Sequence, residues 1–210
     1  MGLFVLSQLG NRATSSSSAG PPSDDFPAAD YRLTVPKTLL DDEYALLKDE
    51  SAETNEQAKQ EGYGDGPGAR YTQAILGTYT STDGNADADA EADTGSGLIL
   101  GGTYGQFKNP AEERAILLRS MRSADGTSEP NPPKTIRPEG SDTDLTCTVL
   151  VTEDEGLTSV IPVCAWGDDN TAAYVAFFAS EDAQDPDAID LDAAARTVQE
   201  IRDEVRQRRG

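Results

Sequence analysis

Histidine is missing from all 210 residues. That gap removes Ser-His-Asp triads, Cys-His dyads and His-ligated zinc or iron from the chemistries open to the chain. Aromatic residues are scarce, at 6% with a single tryptophan, so the core of a chain this long is modest. Positive charge is also sparse: 17 Lys and Arg stand against 38 Asp and Glu, a net charge of −21. Nucleic acid and anionic lipid would be repelled, so neither is expected as a partner. No long apolar run exists, and the longest near the start, Leu3-Phe4-Val5-Leu6, is too short for an export-signal core or a spanning helix. Leu6 stands where a myristoylation signal needs Ser or Thr, and no early cysteine offers a lipidation site.

What is present is concentrated between residues 143 and 179, which hold both cysteines, the tryptophan and the densest β-forming runs. Apolar, β-branched and aromatic residues fill 145–151, 159–166 and 171–178. Glu153-Asp154-Glu155-Gly156 and Gly167-Asp168-Asp169-Asn170 supply turn chemistry between them, which predicts a three-stranded meander. Folding its first hairpin about the turn sets Cys147 against Cys164, Val149 against Pro162, Val151 against Val160 and Leu145 against Trp166, all on one face. Pro162 lacks an N–H and fits only a pair that exchanges no ladder bonds. Cys147 and Cys164 are then of the same type, with Cα atoms roughly 4.5 Å apart, within disulfide range. Two reduced cysteines acting as small hydrophobes are the alternative; register and proline both favour the bond. The nitrogen of Pro162 then faces strand 171–178, where a bulge or local splay is expected.

In chain order, residues 1–30 read as a disordered leader, with a Ser/Pro/Asp-rich linker from Thr14 to Asp30. The run at Leu3 is either part of that leader or the remnant of a membrane anchor. Residues 31–210 form a single domain. Tyr31 to Pro36 alternates as a short strand; Leu39, Leu40, Tyr44, Leu46 and Leu47 recur at helical spacing, and 50–68 reads as a mobile loop. Segments 69–80 and 97–107 make a second strand pair joined by an acidic stretch. Its Asp83, Asn85 and Asp87 are spaced like the start of a calcium loop, but Ala88 stands where Gly is needed and Thr94 where Glu is needed. A solvated connection without a specific metal is expected. Asn109-Pro110-Ala111-Glu112 is a capping box with proline at the first helical position, opening a helix to about Arg122 whose apolar stripe is Leu117, Leu118 and Met121. An irregular loop with four prolines follows over 125–142. Asp190 caps a last helix with Leu191, Ala194, Val198, Ile201 and Val205 on one side and an Arg-rich final turn. Together these predict an α+β fold: an antiparallel sheet of about five to six strands, a meander in its C-terminal half, with helices packed on it.

Carboxylate catalysis survives the elimination formally, but among so many acidic residues no pair stands out, and no catalytic residue, cofactor or metal is expected. Trp166 beside Asp168 and Asp169 is the one candidate ligand-binding group, since an aromatic next to carboxylates suits sugars or cations; a core tryptophan beside a tight turn is the bland alternative.

The segments YRLTVPKTLL, TYGQFKNP, the Cys147 region with VCAWGDDNTAAYV, and AARTVQEIRDEVRQ resemble a family of actinobacterial, especially streptomycete, membrane-anchored proteins with no established activity. The resemblance covers most of residues 31–210. It implies a membrane helix ahead of an extracytoplasmic domain, an oxidising compartment for Cys147 and Cys164, and MGLFVLSQLG as the stump of the anchor. The order of helices and strands is also similar to PsbP/Mog-type and LpqN-type domains, an analogy of fold alone, which implies a binding or accessory role. The expected function is therefore a non-enzymatic binding or sensor module of the cell envelope with an unknown ligand or envelope partner. A structural or accessory envelope protein and a carboxylate-dependent enzyme are the alternatives.

Overall fold

The computed structural model describes residues 26–60, 66–82, 96–154, 157–178 and 185–209. Residues 1–25, with the proposed anchor remnant, and 83–95, with the calcium-like spacing, lie outside the described residues. Among those described, no helix is long and apolar enough to cross a membrane.

Among the described residues there are eleven strands and three α-helices, an α+β fold with about twice the strands expected. The predicted meander is present as β8 (Leu145–Asp154), β9 (Leu157–Gly167) and β10 (Thr171–Phe178), in that spatial order. The second predicted pair is β4 (Ala69–Ser81) and β5 (Gly97–Phe107). Pairing of β5 with β10 fuses the two halves into one antiparallel nine-stranded sheet. The register sets Cys147 against Cys164, Val149 against Pro162 and Val151 against Val160. A disulfide joins the cysteines, their Cα atoms 4.0 Å apart, as a non-hydrogen-bonded pair requires. Opposite Pro162 the sheet splays without a bulge: the β9–β10 ladder stops at Val163 and Ala176, one residue short of the proline.

Both faces of the sheet are covered. One carries α3 (Leu191–Val205), whose Leu191, Ala195, Val198, Ile201 and Val205 pack with Leu145, Val149, Trp166 and the disulfide. On the other face, Leu117 and Leu118 of α2 (Pro110–Arg122) pack with Leu150, Val163 and Tyr174. The α2 cap forms as predicted, with the Asn109 side chain accepting from the Glu112 N–H. Gly101 and Gly102 stand in β5 because β10 comes too close for side chains: a Cβ at Gly101 would lie 2.5 Å from the Tyr174 ring.

Four expectations are corrected. The helix expected over 39–47 is a tight strand pair, β2 (Thr38–Leu39) and β3 (Tyr44–Asp49). Leu40, Asp41 and Asp42 between them all have positive φ, a conformation aspartate tolerates and a helix does not. The Glu204 carboxylate accepts the Leu40 N–H there, at 3.1 and 3.2 Å. The mobile loop expected from 50 contains α1 (Ser51–Gln60), which has no apolar stripe and is held by polar side chains completing the β4 ladder beyond the end of β3. Asn55 both donates to Ala74 C=O and accepts from Ala74 N–H, at 2.6 and 2.8 Å, and Ser51 Oγ accepts from Leu76 N–H. These substitute for a neighbouring strand. The irregular loop 125–142 contributes β6 (Thr127–Ser128) and β7 (Lys134–Ile136), which cover two stretches of the outer edge of β8. Finally, the Arg-rich last turn is not helical. After Val205 the chain extends as β11 (Arg206–Arg208), antiparallel to β1 (Tyr31–Leu33).

Candidate functional site

The turn between β9 and β10 is built by its own side chains. Asp168 Oδ1 accepts from the N–H groups of Asn170 and Thr171 at 3.0 and 2.8 Å, and Oδ2 accepts the Thr171 hydroxyl at 2.8 Å. This is the local bonding that makes aspartate a turn former. It also aims the carboxylate at α3, where Oδ2 receives Arg202 Nη2 at 3.1 Å and Arg206 Nε at 2.9 Å. Arg202 further approaches Asp142 at 3.4 Å.

Asn170 faces the other way and binds the chain that enters the domain. Its Oδ1 accepts from the N–H groups of Asp30 and Tyr31 at 3.0 and 3.2 Å, and its Nδ2 donates to Ala28 C=O at 2.6 Å and to Gly105 C=O at 3.1 Å. Gln106 Nε2 donates to Pro27 C=O, and the Phe26 ring lies under Arg70 and Lys108 at 4.2 and 4.3 Å. Residues 26–30, expected to be part of an unpacked leader, are thus a docked strap. Tyr31, next along, lies 3.3 Å under the Arg206 guanidinium and accepts from Arg208 Nε; the hydrogen bond from Arg208 and then that from Arg206 hold its phenol below the ordinary tyrosine pKa.

Strap, turn, the first turn of α2, the loop 142–144 and the end of α3 enclose an open cleft of about 610 Å³. Arg114 and Arg137 also line it and converge on Asp144. Arg114 Nη1 donates to its backbone carbonyl at 2.6 Å, and Arg137 Nε donates to its carboxylate at 2.7 Å. The bond from Arg137 holds the Asp144 carboxyl below the usual carboxylate range, and the Thr143 hydroxyl, with Arg202 beyond it, does the same for Asp142. Both carboxyls therefore stay ionised at neutral pH, the opposite of what a general acid needs. A smaller groove of about 370 Å³ lies between β1 and α1, but its Asn55 is already engaged in the β4 ladder.

Of the residues singled out from the sequence, Asp168 and Asp169 line the cleft. Trp166 does not: it is fully buried in the core under α3, its indole N–H donating to Thr171 Oγ1 at 3.2 Å. Sequence reasoning missed the arginines, Asn170 and the loop 142–144. Only Arg202 carried a signal, standing on the apolar stripe four residues after Val198 and three before Val205. Among the described residues no group of His, Cys, Asp or Glu is arranged to hold a metal. The chain matches no protein-family model, no curated protein and no solved structure.

Proposed function

We propose that this chain is a non-catalytic binding or sensor module of the cell envelope, and that the cleft bounded by residues 27–31, Arg137, the 167–170 turn and α3 takes its ligand. The observation that carries the reading is the Arg202–Asp168 pair at the cleft floor, with side chains 4% and 16% exposed. A buried ion pair adds little stability over an apolar replacement, so its retention on a stripe otherwise made of Val198, Ile201 and Val205 is best explained by what it organises. It fixes Asp168, hence the turn, hence Asn170 and the strap that walls the cleft. The ligand is polar and charged, since five aspartates and four arginines line the site.

A position outside the cytoplasm is supported by the Cys147–Cys164 disulfide, a bond that persists in oxidising compartments. The resemblance to anchored envelope proteins agrees with it. A purely structural role would draw on a continuous exposed apolar patch; among the described residues the exposed large hydrophobics Leu47 and Leu157 instead stand singly on β3 and β9. The test is a ¹⁵N–¹H correlation spectrum of the full chain titrated with a panel of charged metabolites. Saturable shifts confined to amides around 27–31, 110–114, 142–144 and 167–170 are expected. Shifts clustering elsewhere would overturn the reading.

A further inference from the structure

Charge pairing within the cleft is uneven. Arg202 and Arg206 are matched by Asp168 and Asp142, two against two. Arg114 and Arg137 share Asp144, an excess of one positive charge at that place, although the five aspartates and four arginines of the whole lining leave it one negative charge in excess. Each of the two guanidiniums offers a single nitrogen to Asp144, and among the described residues their remaining N–H groups have no protein partner. Arg137 keeps 60% of its side chain exposed, and both residues line the cleft.

We infer that the cleft holds its ligand by a carboxylate seated between Arg114 and Arg137, an inference that rests on the cleft being the binding site. A planar carboxylate matches the fork of a guanidinium with two parallel hydrogen bonds. One negative charge neutralises the local excess. A phosphate monoester, with nearly two charges at neutral pH, would exceed it, beside five aspartates. The exposed carboxylates of Asp30 and Asp169, which also line the cleft, repel a second anionic group and favour a donor or cation beside them. An amino acid or the C-terminal end of a peptide has that polarity.

The experiment titrates the full chain, at low ionic strength, with acetate, inorganic phosphate and methylammonium, following backbone amides and arginine side-chain N–H signals. Acetate should shift the signals of Arg114, Arg137 and Asp144 saturably and bind more tightly than phosphate. Arg137→Gln should weaken acetate at least about tenfold, the usual scale for a lost charge-assisted bond. Because Arg137 is exposed, that variant should keep the wild-type spectrum elsewhere; Arg114→Lys, which keeps the charge and loses the fork, provides the second reading and should also weaken acetate. Acetate without saturable shifts, equal binding to Arg137→Gln, or tighter phosphate binding would overturn the carboxylate inference. If methylammonium alone shifts cleft signals saturably, the carboxylate falls while the binding cleft stands; if none of the three probes shifts any cleft signal, both fall.

Discussion

Arg202 of α3 donates to Asp168 of the β9–β10 turn across 3.1 Å, and Arg206, four residues later in β11, reaches the same carboxylate oxygen at 2.9 Å. Removing one partner from a buried pair is far worse than never having built it, because the survivor stays buried without its counter-charge. Arg202→Ala should lower stability by about 3 kcal/mol, the low end of the usual range because Asp168 keeps Arg206 and the turn N–H groups. Arg202→Met, which keeps most of the volume, should recover part of that. Guanidinium denaturation of the variants checks it; a loss below about 1 kcal/mol for Arg202→Ala would show that the pair is energetically idle.

Replacing both cysteines, Cys147→Ala with Cys164→Ala, should destabilise the domain by about 3 kcal/mol on chain-entropy grounds, for a bond spanning 17 residues. Both residues are completely buried, so reductant without denaturant should leave the bond intact. Thiol counting on unreduced, denatured protein should find none; two free thiols would sink the pairing and the compartment argument with it.

Asn170→Ala should free the strap. It strips partners from the N–H groups of Asp30 and Tyr31 and from the carbonyls of Ala28 and Gly105, for a loss of about 2 kcal/mol. Limited proteolysis should then cut near residues 26–30, where the wild type resists. Unchanged proteolysis would show that Phe26 and Gln106 hold the strap without Asn170.

Gly101→Ala should cost about 1–3 kcal/mol through overpacking against the Tyr174 ring. In a Tyr174→Leu background the same change should cost clearly less, since the two positions share one contact. Additive losses would place the strain elsewhere.

Burial pushes the Tyr174 phenol up to about 12. With the folded value above the unfolded value near 10, its contribution to stability is complete below pH 10 and is lost as pH rises through the folded value. Alkaline unfolding should therefore steepen between those limits and be relieved in Tyr174→Phe. Identical alkaline profiles would remove Tyr174 as the cause.

How much of this was legible in the sequence depended on whether a segment organises itself locally. The meander, its register and the disulfide were readable because Pro162 and the alternating pattern fix parity within one hairpin. So were the caps at Asn109 and Asp190, which bond N–H groups two or three residues on. Where structure is imposed from a distance, the sequence was silent. Leu39 to Leu47 carries helical spacing, yet the pairing of β3 with β4 decides its conformation. Nothing within α1 announces that Asn55 will stand in for a strand. The cleft is the extreme case: Asp168 was picked out for its place beside Trp166, but Arg114, Arg137 and Arg202 belong to three segments that only the tertiary fold brings together.

The pairing of Tyr31 with Arg208 has a bearing on how the domain is made. A chain emerging from the ribosome presents Tyr31 177 residues ahead of Arg208, so β1 waits for its partner strand until every element between them has been made. Arg206, which lies over the Tyr31 ring and binds Asp168, comes last in chain order among the residues that line the cleft. A chain cut short before Arg206 would thus carry the nine-stranded sheet without the strand that pairs with Tyr31.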